Sequence, residues 1–370
     1  MAKRQKGVVG IVGLGIMGGA FAHNLHAAGW RVVGYDTDRT RRGALGRVGI
    51  ALAADVGALA VEAPVIITSL PKASALAATV AAIAAARVPR RVVIEASTFK
   101  LEDKEAAEAA LRKAGHILLD CPVSGTGIQA KTKDLVIYAS GGAAEIEKLR
   151  PLFADFTREV HDLGAFGNGS KMKYIANLLV AIHNVASAEA LVLGMKAGLP
   201  PQLIYDQIRI GAGNSRVFEL RAPMMVKGRY DDPTMKVSIW QKDMDVIGGF
   251  AQALGAPTPL FSATLPIYAA AQSTGYGEQD TAATCAVLRR WPGSSGAGAG
   301  VHGGRKLEQV RLNFEAPSFP SARPRAGGGD PARSSPSVPG GFPPSPSRER
   351  AVDACPLPIR RGASIPIART

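Results

Sequence analysis

Glycine spacing near the start of the chain is the first feature that could do chemistry. The β-branched run Val8-Val9-Gly10-Ile11-Val12 leads straight into Gly13-Leu14-Gly15-Ile16-Met17-Gly18, and a helix-forming stretch follows. A G-x-G-x-x-G segment between strand and helix is the fingerprint of a dinucleotide-binding turn. Gly13 permits the tight turn, Gly15 lets backbone approach a pyrophosphate, and Gly18 lets helix and strand pack closely. The pyrophosphate would rest on free N–H groups at a helix N-terminus, where the macrodipole favours negative charge. Asp36 lies 18 residues past Gly18, at the end of the next strand-like run, where a carboxylate binds the adenosine ribose hydroxyls. Such a carboxylate repels a 2′-phosphate, so NAD is the expected cofactor. Arg39, Arg41 and Arg42 keep NADP possible.

A second constellation lies downstream, in Gly167-Asn168-Gly169-Ser170-Lys171-Met172-Lys173-Tyr174-Ile175-Ala176-Asn177. Lys173 and Asn177 are four apart, so they share one face of a helix beginning near Ser170. The positive end of that helix, together with burial, depresses the lysine pKa. A lysine brought toward neutrality suits acid/base work in hydroxyl–carbonyl interconversion. Lys171, the competing amine, lies about 200° round the helix and is expected in solvent.

The elements that must position these groups are legible in outline. From Gly7 to about Gly164, β-branched runs alternate with Ala-rich stretches, the pattern of an α/β fold with a parallel sheet. Expected strands are Val8–Val12, Arg31–Tyr35, Val65–Ser69, Arg91–Glu95, His116–Asp120 and Leu135–Ala139. Helices begin near Ile16, Arg39, Lys72, Leu101 and Ala143. Past Gly167, long helical stretches take over, with stops at Gly198-Leu199-Pro200 and Gly255-Ala256-Pro257. The expected organisation is a Rossmann domain over residues 1–166, an all-helical domain over 167–290, and a disordered tail over 291–370.

With these motifs in order, residues 7–290 resemble the β-hydroxyacid dehydrogenases, which include 3-hydroxyisobutyrate, tartronate semialdehyde and threonate dehydrogenases. The resemblance implies a hydride exchange between NAD(P) and a small β-hydroxy acid, with Lys173 as general acid/base and Asn177 orienting the substrate. It also assigns the loop Asp120-Cys121-Pro122-Val123-Ser124-Gly125-Thr126 to the substrate carboxylate, through Ser124, Gly125 and Thr126. A Ser-Gly turn with unhindered amides is a compact anion nest. Thr126 replaces the family's usual second glycine, and its hydroxyl suits a polyhydroxylated acid. Trp240-Gln241-Lys242-Asp243-Met244 resembles the family's K-D-L motif, in which Lys242 reaches cofactor or substrate across the cleft. Ser69-Leu70-Pro71 and Ser97-Thr98 match the loops beside the cofactor, although a proline usual after the second loop is missing. Both follow strands of the expected parallel sheet, where ligands bind. The rival from another class is a dinucleotide-binding sensor or scaffold without turnover.

Composition bounds the rest. The 370 residues carry a net charge of +14 and are 46% hydrophobic, ample for a large core. Residues 291–370 hold 13 of the 25 prolines, and their 11 Lys/Arg against 5 Asp/Glu are dispersed with almost no aromatics, so no nucleic-acid partner is expected. No uncharged apolar run reaches the roughly 18 residues of a membrane span. Lys3, Arg4 and Lys6 before Gly7–Ala22 imitate a secretory signal, but five glycines within Gly10–Gly19 and no small-residue cleavage site argue otherwise. Three scattered cysteines form no disulfide framework, so a cytoplasmic setting is expected. His23 and His26 lack further ligands at metal spacing, so no metal is expected. The resemblance implies a homodimer or homotetramer.

Overall fold

The computed structural model describes residues 6–291; the expected tail, beyond Trp291, lies outside them. The first half runs β1 (Val8–Val12), α1 (Ile16–Ala27), β2 (Arg31–Tyr35), α2 (Arg39–Gly46), β3 (Ala51–Leu52), α3 (Val56–Glu62) and β4 (Val65–Thr68). It continues through α4 (Ala73–Ala85), β5 (Val92–Glu95), α5 (Leu101–Lys113), β6 (Ile117–Asp120), β7 (Val123–Ser124), α6 (Gly127–Lys131), β8 (Val136–Ala139), α7 (Ala143–Ala154) and β9 (Glu159–Asp162). Six strands form a parallel sheet in the order β3-β2-β1-β4-β5-β6. Near-continuous Val/Ile/Leu strands suit this sheet, because helices cover both faces. Two cores result, one holding Phe21, Phe153 and Phe156 and the other Leu59, Ile83 and Leu111.

One expected strand goes elsewhere. β8 leaves the parallel sheet and sits between β7 and β9, antiparallel to the first and parallel to the second. Pro122 explains the departure: proline has no N–H for a ladder, so β6 ends before it and the chain turns into β7. The elements with no counterpart in the sequence reading (β3, β7, β9, α3 and α6) are two to seven residues long, too short to show a period.

The second half is helical: α8 (Asn168–Lys196), α9 (Pro201–Ile208), α10 (Arg216–Lys227), α11 (Val237–Ala253), α12 (Pro259–Ala271) and α13 (Thr284–Arg289). α8 is long and apolar enough to cross a membrane by length and composition alone. Its Ala188, Leu191 and Val192 pack with Phe218 and Met225, while its Tyr174, Ala181 and Val185 pack with Trp240 and Tyr268. α8 is thus the spine on which the other helices bury their apolar faces, and its first turn lies against the sheet.

Candidate active site

The glycine turn is sterically closed on one side and open on the other. Gly13 has φ of +91°, and a Cβ there would lie 2.1 Å from the Ser69 carbonyl oxygen. A Cβ on Gly18 would lie 1.9 Å from the Gly13 carbonyl oxygen, so side chains are excluded at both positions. Over Gly15 only the Arg41 guanidinium comes near, 3.7 Å from where a Cβ would be. α1 starts after Gly15 with no side-chain cap, and its Ile16 is exposed. Free first-turn N–H groups beneath an open backbone fit a dinucleotide diphosphate. Leu14, Ile16 and Met17 complete this turn.

Asp36 is more committed than its position in the sequence suggests. Its Oδ2 accepts the Leu14 N–H at 2.7 Å, its Oδ1 accepts the Asp38 N–H at 2.8 Å, and Arg41 approaches to 3.6 Å. Asp38 caps α2 by accepting the Thr40 and Arg41 N–H groups. That cap turns the chain so that the amide of Asp38 points back at Asp36. The carboxylate expected to bind ribose therefore also braces the turn, beside Arg41, one of the cations that keep NADP possible.

The loops after β4 and β5 are tied together. Ser97 Oγ accepts the Leu70 N–H at 2.8 Å, and the Ser97 N–H donates to Glu95 Oε1 at 3.0 Å. Ser69, Leu70 and Pro71 are thereby held against Ser97 and Thr98. Lys242 crosses from α11 and donates to the Thr98 carbonyl, its amine 5.1 Å from the Phe99 ring centre and 3.2 Å from Asp243 Oδ1. This lysine bridges the helical half to the sheet half, with its amine engaged by protein groups.

The loop expected to grip a carboxylate borders the dinucleotide turn. Ser124 ends β7, Gly125 has φ of +137°, and Thr126 opens α6 with its N–H donating to Gln129 Oε1 at 3.0 Å. A Cβ on Gly127 would lie 2.3 Å from Ile16 Cγ2, so this loop and the first residue of α1 are in contact. Asn24 of α1 donates to the Ala130 carbonyl at 2.8 Å, which locks the two together.

Lys173 lies on the buried face of α8, 9% exposed, and does not face bulk water. Burial lowers its amine to about 8. The Asp243 carboxylate works against that drop, while Lys242 and Lys104 reinforce it. Asn177, one turn on, donates to Asp243 Oδ2 at 2.9 Å. Asn177, Asp243, Lys242 and Thr98 therefore form one bonded chain spanning the two halves, with Lys173 one helical turn from Asn177 and within the field of Asp243. Lys171 is half-buried and donates to Asn168 Oδ1 at 3.3 Å, instead of extending into solvent.

Two groups have no role assigned by the sequence alone. Asp243 stood in a motif without a task of its own, yet it contacts both Asn177 and Lys242. Glu95, Lys104 and Asp120 form a fully buried cluster just behind the site. Cys121 is buried, and burial pushes its thiol well above the usual range, in keeping with a small packed side chain. Phe218 is stacked on Tyr205 inside the helical core.

Residues 8–164 match the family described as the NAD binding domain of 6-phosphogluconate dehydrogenase. Residues 167–288 match the family described as "NAD-binding of NADP-dependent 3-hydroxyisobutyrate dehydrogenase". The chain is 32% identical over 289 residues to an L-threonate dehydrogenase of Cupriavidus necator, covering 77% of this chain and 96% of that one. A crystal structure of 3-hydroxyisobutyrate dehydrogenase from Salmonella typhimurium, 32% identical, matches with a TM-score of 0.70 over 76% of this chain and 99% of its own. The Mycobacterium tuberculosis 3-hydroxyisobutyrate dehydrogenase with L-serine, 28% identical, matches with the same score and coverage. The open glycine turn, the buried lysine and these likenesses together place the chain in the β-hydroxyacid dehydrogenase family of NAD(P)-dependent oxidoreductases.

Proposed function

We propose that this dehydrogenase oxidises a small, polyhydroxylated β-hydroxy acid of the threonate class, with Lys173 as its proton acceptor and donor. The observation that carries the reading is the buried Lys173 amine, lowered to about 8 and set beside Asn177 and Asp243. At neutral pH a usable fraction of such an amine is uncharged and can take the hydroxyl proton. The bound dinucleotide supplies the hydride acceptor. Ser124 and the Gly125 N–H offer donors to the substrate carboxylate, and Asn177 and Lys242 set the substrate angle. In reduction, protonated Lys173 returns the proton to the carbonyl oxygen.

The threonate class is supported by the Thr126 hydroxyl in the substrate loop and by relatives named L-threonate dehydrogenase at 32% identity. A non-catalytic dinucleotide sensor is not favoured beside relatives that are dehydrogenases. The same reading places the protein in the cytoplasm, supported by Cys121 and Cys285, both buried and unpaired. It also takes the protein as a homodimer or homotetramer, supported by the exposed Ile175, Leu179 and Leu193 along α8. The decisive experiment is a panel of L-threonate and 3-hydroxyisobutyrate with NAD and NADP, and of tartronate semialdehyde with the reduced dinucleotides. Turnover of L-threonate above the other two, lost in Lys173→Ala, supports the reading. Full activity in Lys173→Ala removes it.

A further inference from the structure

Behind the site lies a charged cluster that the proposed mechanism does not use. The Lys104 amine lies 2.6 Å from Glu95 Oε2 and 2.7 Å from Asp120 Oδ1, and all three residues are fully buried. They come from three elements: Glu95 ends β5, Asp120 ends β6, and Lys104 stands on the inner face of α5. One amine thus stands between two carboxyl groups, and acid outnumbers base in the cluster. A buried ion pair is weak as a stabilising device, because desolvation offsets its attraction. Its placement carries the argument.

Asp120 reaches out of the cluster to the start of α8. Its Oδ2 accepts the Ser170 N–H at 2.7 Å, and its Oδ1 accepts the Ser170 hydroxyl at 2.8 Å. Ser140 Oγ, which also donates to Asp120, accepts the neighbouring Gly169 N–H at 3.0 Å. Ser170 precedes Lys173 by three residues, so the two are neighbours on one face of the helix. On the other side, Glu95 Oε1 accepts the N–H of Ser97.

We propose that Glu95, Lys104 and Asp120 are positioning residues for Lys173: one buried triad seats the first turn of α8 against the carboxyl ends of β5 and β6 and sets the charge around its amine. This rests on the reading of Lys173 as the proton-handling group. Lys104 holds both carboxyl groups in place, and Asp120 passes that placement to the helix. The charged groups around the Lys173 amine are Asp243 and Lys242 from α11, Lys104 from α5, and behind Lys104 the Glu95 and Asp120 carboxylates. Loss of the Lys104 charge therefore makes the surroundings more negative, and loss of the Glu95 charge makes them less so.

The test uses two substitutions of opposite sign, Lys104→Met and Glu95→Gln, in the full chain. Glu95→Gln keeps the Lys104–Asp120 pair, and so keeps the test open should Lys104→Met fail to fold. Titration of Lys173 is read directly, by competitive acetylation with acetic anhydride across pH and mass spectrometry of its peptide. kcat, KM and dinucleotide affinity are measured alongside. The expected result is an alkaline shift of the Lys173 midpoint in Lys104→Met and an acid shift in Glu95→Gln. We expect kcat to fall roughly tenfold or more in Lys104→Met, with KM for the dinucleotide little changed, because small misplacements of a reacting group are costly. A midpoint and kcat at wild-type values in the folded variants overturn the proposal. Activity retained in Lys173→Ala would instead overturn the catalytic reading, and the acetylation curves would still report on the triad.

Discussion

Two lysines are buried within the same few turns of structure, and they are treated in opposite ways. Lys104 is fully enclosed; burial alone pushes its amine down, but Glu95 and Asp120 outweigh that and hold it above the ordinary lysine range. Lys173 is enclosed nearly as well, and the carboxylate near it, Asp243, does not offset its burial. Similar burial with unequal compensation makes one amine a permanent cation and the other a group poised near neutrality. Burial alone is therefore a poor guide to what a lysine does; the charge count around it decides.

The sharpest way to break this contrast is to remove the poised lysine. Lys173→Met should lower kcat by roughly 10²–10⁴, the span usual for acid/base groups, and leave dinucleotide affinity nearly unchanged. The same substitution should stabilise the fold at neutral pH. Folding lowers this amine from 10.5 to about 8, so the unfolded chain binds more protons between those values. Stability contributed by Lys173 therefore rises with pH across that window, and below it a constant cost of about 3 kcal/mol remains. Urea unfolding of wild type and Lys173→Met at pH 7 and pH 10 checks this. A stability gap that does not narrow at pH 10 refutes it.

Removing the compensated lysine should do the reverse to stability. Lys104→Met strands two buried carboxylates and should cost about 3–5 kcal/mol, measured by urea unfolding at pH 7. A loss under about 1 kcal/mol would mean that water or protonation relieves the pair. A milder change sharpens the comparison at the poised end. Asp243→Asn keeps an acceptor for Asn177 but removes the carboxylate that raises the Lys173 amine. The pH midpoint of substrate oxidation should move to the acid side of wild type, and a shift to the alkaline side counts against the assignment. Smallest of all, Arg41→Ala should weaken NADP relative to NAD by up to roughly fivefold, the worth of one exposed charge. Titration of both nucleotides reads the ratio.

Much of this was legible in the chain of letters. The glycine turn, the strand–helix alternation through Asp120 and the Lys173–Asn177 spacing depend on residues within a few positions of one another. Local geometry leaves them few alternatives. The triad was not legible, because Glu95, Lys104 and Asp120 lie on three elements and a lysine in Leu101–Lys113 reads as one more charge on a solvated face. Asp36 was legible as an acid at the right distance, but not as one already bonded to Leu14 and Asp38, since that depends on how α2 is capped. Helical angle alone puts Lys171 in solvent, whereas its bond to Asn168 depends on how the first turn of α8 is built.

What the amino-acid order determined by itself was the kind of protein: a dinucleotide turn before a helical half, with an amine and an amide one helical turn apart. These follow from backbone sterics and periodicity, which act over short stretches. Tertiary structure alone decided which lysine is held charged and which is poised to exchange a proton. Desolvation and Coulomb interactions depend on what remote segments bring within a few ångströms, and no spacing along the chain encodes that.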